Sequence, residues 1–164
     1  MDLPRTDFRI RADGSAIEPI TGGTHTFGFT YSSAGHRFVA STTAPAIQVA
    51  PIDYRYLIRS PLAASSGLTH DITPDRRAYP RSEAHPWRKK RAEHADYFEY
   101  YRSRYGASDS DPAGWFTSGC SPFVYRDEVI PALSGQFLAC DPAQNFIFRG
   151  RLSRSEDPKE VAYQ

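Results

Sequence analysis

Between Phe116 and Leu152 the chain reads FTSGCSPFVYRDEVIPALSGQFLACDPAQNFIFRGRL, and this stretch restricts the possible folds more tightly than any other. Three short apolar runs, Pro122–Tyr125, Gln136–Ala139 and Phe146–Arg149, are each bounded by Gly, Pro, Asp or Asn, the residues that punctuate strands. The first and second runs can pair across Arg126–Gly135, and the second and third across Asp141–Asn145. The stretch therefore predicts a three-stranded meander with one cysteine on each of two neighbouring strands.

Composition agrees with a β-rich fold. Ten Tyr, ten Phe, 13 Pro and 11 Gly among 164 residues favour short strands and frequent turns over a helical bundle. The length allows one ordinary core. A net charge of +1 favours no class of charged partner. No apolar run is long enough to cross a bilayer. Met1–Thr6 lacks the apolar segment of a signal peptide, so read alone the chain is expected to stay in the cytoplasm.

The rest of the chain divides into further strand groups and an insertion. Within 7–20, Phe8 and Ile10 alternate, Asp13-Gly14 supplies a tight turn, and Ala16–Ile20 returns with Pro19 limiting its pairing. Within 24–59, strands are expected at Thr26–Tyr31, with Phe27, Phe29 and Tyr31 on one side, at Arg37–Thr42 and at Ala46–Ile52. Residues 60–114 form the insertion. Ser60–Pro86 has no sustained period and is expected to be an ordered loop. Around 84–105 a helix is expected, because Trp87, Arg91, His94, Phe98, Tyr101 and Tyr105 follow a helical rhythm before Gly106. The charged tail 153–164 lacks a period.

Residue types that carry chemistry are scattered. His25, His36, His70, His85 and His94 show no metal-ligand spacing; His25 alone is placed at the mouth of a strand, after Gly22-Gly23. Asp53, Asp71 and Asp75 match no calcium loop, and Asp109-Ser110-Asp111 lacks the Gly and Glu that would complete one. Arg88-Lys89-Lys90-Arg91 is offset by Glu83, Glu93, Asp96 and Glu99, so it reads as a solvated helix face rather than a nucleic-acid surface. Ser118 and Ser121 stand in no nucleophile elbow, and no haem attachment motif occurs. No catalytic or metal-binding residue is therefore assigned. Cys120 and Cys140 leave two readings open. They are free thiols, or, if the hairpin turns near Ile130, a cross-strand disulfide.

The pattern S-x-C-x-P-x-x-Y-R-D followed by G-x-F-x-x-C-D-P-x-x-N, with R-x-R-x-D-G-S-x-I-E-P and G-G-T-x-T-F-G-F-T upstream, resembles the β-propeller part of a bacterial family. Its members are membrane-bound or secreted, haem-c-containing dehydrogenases related to the glucose and sorbosone dehydrogenases that use pyrroloquinoline quinone. The resemblance implies an all-β fold: a partial β-propeller of two to three antiparallel blades over residues 1–152, with blade elements at 7–20, 24–59 and 115–152 and a helical insertion. It implies oxidation of a small sugar or alcohol, with electrons passed to a c-type haem on a separate cytochrome domain. Quinone and calcium would belong to the full-length protein, which would be periplasmic or extracellular, and this chain alone would be inactive. Thr117, Ser118, Gly119 and Arg126 match motif positions that would line the cofactor edge. Export would favour the Cys120–Cys140 disulfide. Two other readings remain. One is a propeller-type module that binds carbohydrate or protein, with Trp115 and Tyr125 as stacking surfaces; the other is a nonfunctional remnant of a truncated gene.

Overall fold

A computed structural model describes residues 7–19, 26–50, 59, 68–105 and 113–153. The expected strands at 7–20 form a hairpin, β1 (Phe8–Ile10) with β2 (Ile17–Pro19), in antiparallel register from Phe8↔Pro19 to Ile10↔Ile17. Its turn is held by the Ser15 N–H donating to Asp13 Oδ1 at 2.9 Å, and that bond lowers the Asp13 carboxyl below its ordinary pKa.

A second sheet has the order β3 (Thr26–Tyr31), β4 (Arg37–Ser41), β5 (Ile47–Val49), β6 (Thr69–Asp71), all antiparallel. The third sheet is the meander expected from the sequence, β7 (Cys120–Val124), β8 (Gln136–Asp141), β9 (Phe146–Arg151). Two helices lie between these sheets in the chain, α1 (Pro86–Glu93) and α2 (Ala95–Tyr105). A short 3-10 turn at Pro131–Leu133 interrupts the loop before β8.

The second and third sheets share one core. Phe38, Ala46, Phe116, Val124, Phe137 and Ala139 are buried together, with Ile72, Phe146, Phe148 and Leu152 packed against them. The Phe38 and Phe137 rings meet edge to face at 6.1 Å, and Phe116 meets Phe146 and Phe148 at 6.3 and 6.2 Å. Each buried ring is worth roughly 1.5–3 kcal/mol of removed apolar surface. The Val124 N–H donates to Thr30 Oγ1 at 3.0 Å across the junction. There β3 carries a bulge between Thr26 and Phe29. Gly28 sits in it with φ +116°, and a Cβ would stand 3.2 Å from Pro122 Cδ, so glycine is what lets β3 approach β7.

Three expectations change. The all-β class holds for the core, but where a partial β-propeller of two to three blades was expected the described residues form three antiparallel sheets with two helices and no propeller. The expected loop 60–86 contributes the fourth strand of the second sheet: Thr69–Asp71 pairs with β5 from Ile47↔Asp71 to Val49↔Thr69. The expected single helix is two. His94 adopts an extended conformation (φ −93°, ψ 109°) that ends α1, and its carbonyl accepts the Phe98 N–H at 2.9 Å as α2 begins. The expectations for His25, Asp53, Asp109–Asp111 and the tail beyond Ser153 lie outside the described residues.

Candidate functional site

The two ends of β7 are chemically different. At its start is a buried polar network. Arg88, the one buried residue of α1 at 1% exposure, donates from Nη1 to Thr117 Oγ1. The Thr117 N–H donates to Asp141 Oδ2 at 2.9 Å, and the Gln144 N–H donates to Asp141 Oδ1 at 3.0 Å. Ser82 Oγ donates to the Gln144 carbonyl at 3.0 Å. Asp141 ends β8 and Gln144 lies in the turn to β9, so the network fixes the insertion to the strand ends. The Gln144 side-chain amide is buried and neither of its polar atoms has a hydrogen-bond partner, an uncommon state for a native side chain. His85 starts α1: its Nδ1 accepts the Trp87 N–H at 3.4 Å, with Pro86 in the first turn.

The Arg88 result corrects the solvated-face reading of Arg88-Lys89-Lys90-Arg91. Lys89 and Lys90 are exposed, and Lys89 pairs with Glu83 at 2.6 Å, which lowers the Glu83 carboxyl below its usual range. Arg88 turns inward instead. Trp87, first of the residues in the helical rhythm, is 48% exposed. A shallow groove of about 290 Å³ between the helices is lined by Trp87, Lys90, Arg91, His94, Tyr97 and Tyr101. There the Arg91 guanidinium stacks over the Tyr101 ring at 3.8 Å and over Trp87 at 4.6 Å.

The four residues expected at a cofactor edge separate. Thr117 is buried in the network and Ser118 is half-buried. Gly119 is enclosed by packing: its N–H donates to the Thr42 carbonyl at 3.1 Å, and a Cβ would collide with the Ser41 carbonyl oxygen and the Phe116 ring. Arg126 lies past the other end of β7. A strand rises about 3.3 Å per residue, which puts Arg126 on the order of 20 Å from Gly119. Arg126 borders two open grooves. One, of about 560 Å³, is lined with Phe123, Val124, Asp127 and Glu128; the other, of about 300 Å³, includes Ser32, Tyr125, Ser134 and Leu152. Trp115 and Tyr125, the expected stacking pair, likewise flank β7 on opposite sides. Trp115 bridges to Arg77, and the Tyr125 hydroxyl accepts the Ile130 N–H at 3.0 Å.

Cys120 and Cys140 are register partners of β7 and β8, both half-buried and both free thiols. They lie on the face of the third sheet turned from the core. By register that face also carries Phe123 opposite Leu138, and Ile147 opposite Cys140. Phe123 is 48% and Ile147 64% exposed. On β3, Phe27 and Phe29 are also exposed, at 61% and 60%.

The remaining candidates are occupied locally. Asp71 pairs with Arg76 and accepts the Thr73 N–H at 3.0 Å. Asp75 is hydrogen-bonded by the Arg77 side chain and N–H, which hold its carboxyl at about 2. His70 is exposed on β6 opposite Gln48, and His94 packs edge-on to Tyr97 at 5.8 Å. Among the described residues no three His, Cys, Asp or Glu gather as a metal site, and no helix is long and apolar enough to cross a membrane.

Comparison with known families gives one match. The family described as a domain of unknown function, DUF7133, matches residues 2–163. The chain belongs to that family. No curated protein and no solved structure matched. The family match spans all three sheets and both helices, so the Arg88–Thr117–Asp141 network and the cysteine pair both fall within the DUF7133 region.

Proposed function

We propose that this domain is an assembly module whose third sheet stacks face to face on a further β-sheet, as a blade does in a propeller. The carrying observation is the outer face of β7–β9, where Phe123 and Ile147 stand 48% and 64% exposed beside half-buried Leu138 and the two cysteines. On the same face Arg149 stands opposite Leu138 and Arg151 opposite Gln136, so the exposed apolar residues have a charged border. Exposed apolar surface of this kind marks an interaction surface, and stacked sheets bury such faces about 10 Å apart. The four antiparallel strands β3–β6 have the make-up of one blade. By the resemblance stated above, the complete assembly is an exported sugar or alcohol dehydrogenase with quinone, calcium and a haem-c partner domain, and this chain is structural within it. Thr117 and Gly119 then hold the strand ends together, and of the four residues Arg126 borders the open grooves where a ligand would sit.

Covalent footprinting tests the stacking role. Phe123 and Ile147 are expected to be protected in the protein's native assembly and readily modified in the isolated domain; equal modification in both sinks the proposal. The redox part has a separate readout, which is dye reduction by sugar or alcohol that depends on added quinone and calcium. If that activity is absent from the native assembly, the dehydrogenase part goes and the stacking role stands. A second reading, carbohydrate binding, is favoured by the groove of Trp87, Tyr97 and Tyr101, because sugars stack on exposed aromatic faces. It requires Trp87→Ala to abolish retention on a polysaccharide matrix.

A further inference from the structure

We infer that Cys120 and Cys140 form a reversible dithiol–disulfide pair that clamps the start of β7. Three observations carry this independently of the stacking role. The two residues are direct register partners; opposed Cα atoms in an antiparallel pair lie about 4.5 or 5.5 Å apart, inside the range of about 4.4–6.8 Å that a disulfide spans. Both thiols are half-buried and free, so an exchange partner can reach them in the isolated chain. The ladder is weak just beside them. The register shifts between Cys120 and Phe123, and Ser121 sits there with φ 51°, a left-handed conformation that a non-glycine residue adopts at some cost.

The pair also adjoins the buried network. Cys140 immediately precedes Asp141, and Thr117, whose N–H donates to Asp141, lies three residues before Cys120. A bond between the sulfurs would hold the strand ends that carry the Arg88 contact, making attachment of α1 sensitive to redox state.

The oxidant is a small disulfide such as oxidised glutathione. One cysteine thiolate attacks the glutathione disulfide, forming a mixed disulfide and releasing one glutathione thiolate. The second cysteine thiolate then attacks its neighbour's sulfur and releases the other glutathione. The protein loses two electrons and two protons, and one glutathione disulfide becomes two thiols.

Reduced full-length chain is equilibrated across a series of glutathione redox ratios, trapped by thiol alkylation and weighed intact. The expected wild-type product is an internal disulfide, lighter by two hydrogens and carrying no alkyl groups. Cys120→Ser and Cys140→Ser are each expected to take one glutathione adduct instead. Closing a loop of about 20 residues should raise Tm by roughly 5–10 °C in the oxidised wild type, with no such rise in either single variant. Slower exchange of the Thr117 amide on oxidation is the readout specific to the link with the network. A wild type that remains a dithiol, takes two glutathione adducts or pairs between chains in oxidising buffer overturns the inference. An internal disulfide that leaves Thr117 exchange unchanged overturns the link to α1.

Discussion

The second and third sheets use the same residue types but bury them differently. In β4, four successive residues, Arg37, Phe38, Val39 and Ala40, are all buried, at 6%, 0%, 0% and 0% exposure. Successive strand residues point to opposite faces, so β4 is covered on both. In β9 burial alternates: Phe146 and Phe148 face the core while Ile147, Arg149 and Arg151 are exposed. The first pattern belongs to a strand in the middle of a structure, and the second to a strand with one side still open. Even the charge on β4 is satisfied from outside its own sheet, since Arg37 pairs with Asp7 next to the first hairpin.

The contrast breaks most visibly at the core contact between the sheets. Phe137→Ala and Phe38→Ala should each lose about 3–5 kcal/mol in urea unfolding; a loss under 1 kcal/mol at either would mean that the sheets do not share a core. Next in size is Thr117→Val, which removes the acceptor of the Arg88 guanidinium and should lower stability by about 1–3 kcal/mol. Hydrogen exchange should show the amides of α1 opening more readily than those of β8. On the open face, Ile147→Lys should stay within about 0.5 kcal/mol of wild type while weakening any sheet-on-sheet association in sedimentation. A large destabilisation there would show that β9 is covered on both sides, as β4 is.

The smallest effect is a pH dependence. Arg77 hydrogen bonding lowers the Asp75 carboxyl from 3.8 to about 2, so its stabilising contribution is complete above pH 4 and is lost as pH falls through about 2. Both partners are well exposed, at 59% and 62%, so screening keeps the contribution small. Asp75→Asn should flatten the acid limb of a melting profile slightly at low salt and not at high salt.

Much of this was legible in the residues. The meander followed from turn formers between short apolar runs, and the facing cysteines followed on the condition that the hairpin turned near Ile130, as it does. The hairpin at 7–20 and strands β3 to β5 followed from alternation. Three things did not. Thr69–Asp71 has no apolar residue, so backbone pairing to β5 makes it a strand without any sequence period. Arg88 is buried inside a basic run whose neighbours are solvated, and its partners Thr117 and Asp141 lie far along the chain. The helix breaks at His94, which is neither Gly nor Pro. Of the residues expected at a cofactor edge, Thr117, Ser118 and Gly119 stay together before β7, and Arg126, seven residues on, lies past its other end.

The margin formed by β9 has a consequence for how this domain can grow. Among the described residues it pairs with β8 alone, so its outer backbone groups are those a recruited strand would seek, as in fibrils. Yet Arg149 and Arg151 alternate along it, with Gly150 between them, and two guanidinium groups in a row repel a like neighbour laid alongside. Enlargement by lateral zippering, which has no natural stopping point, is thereby opposed.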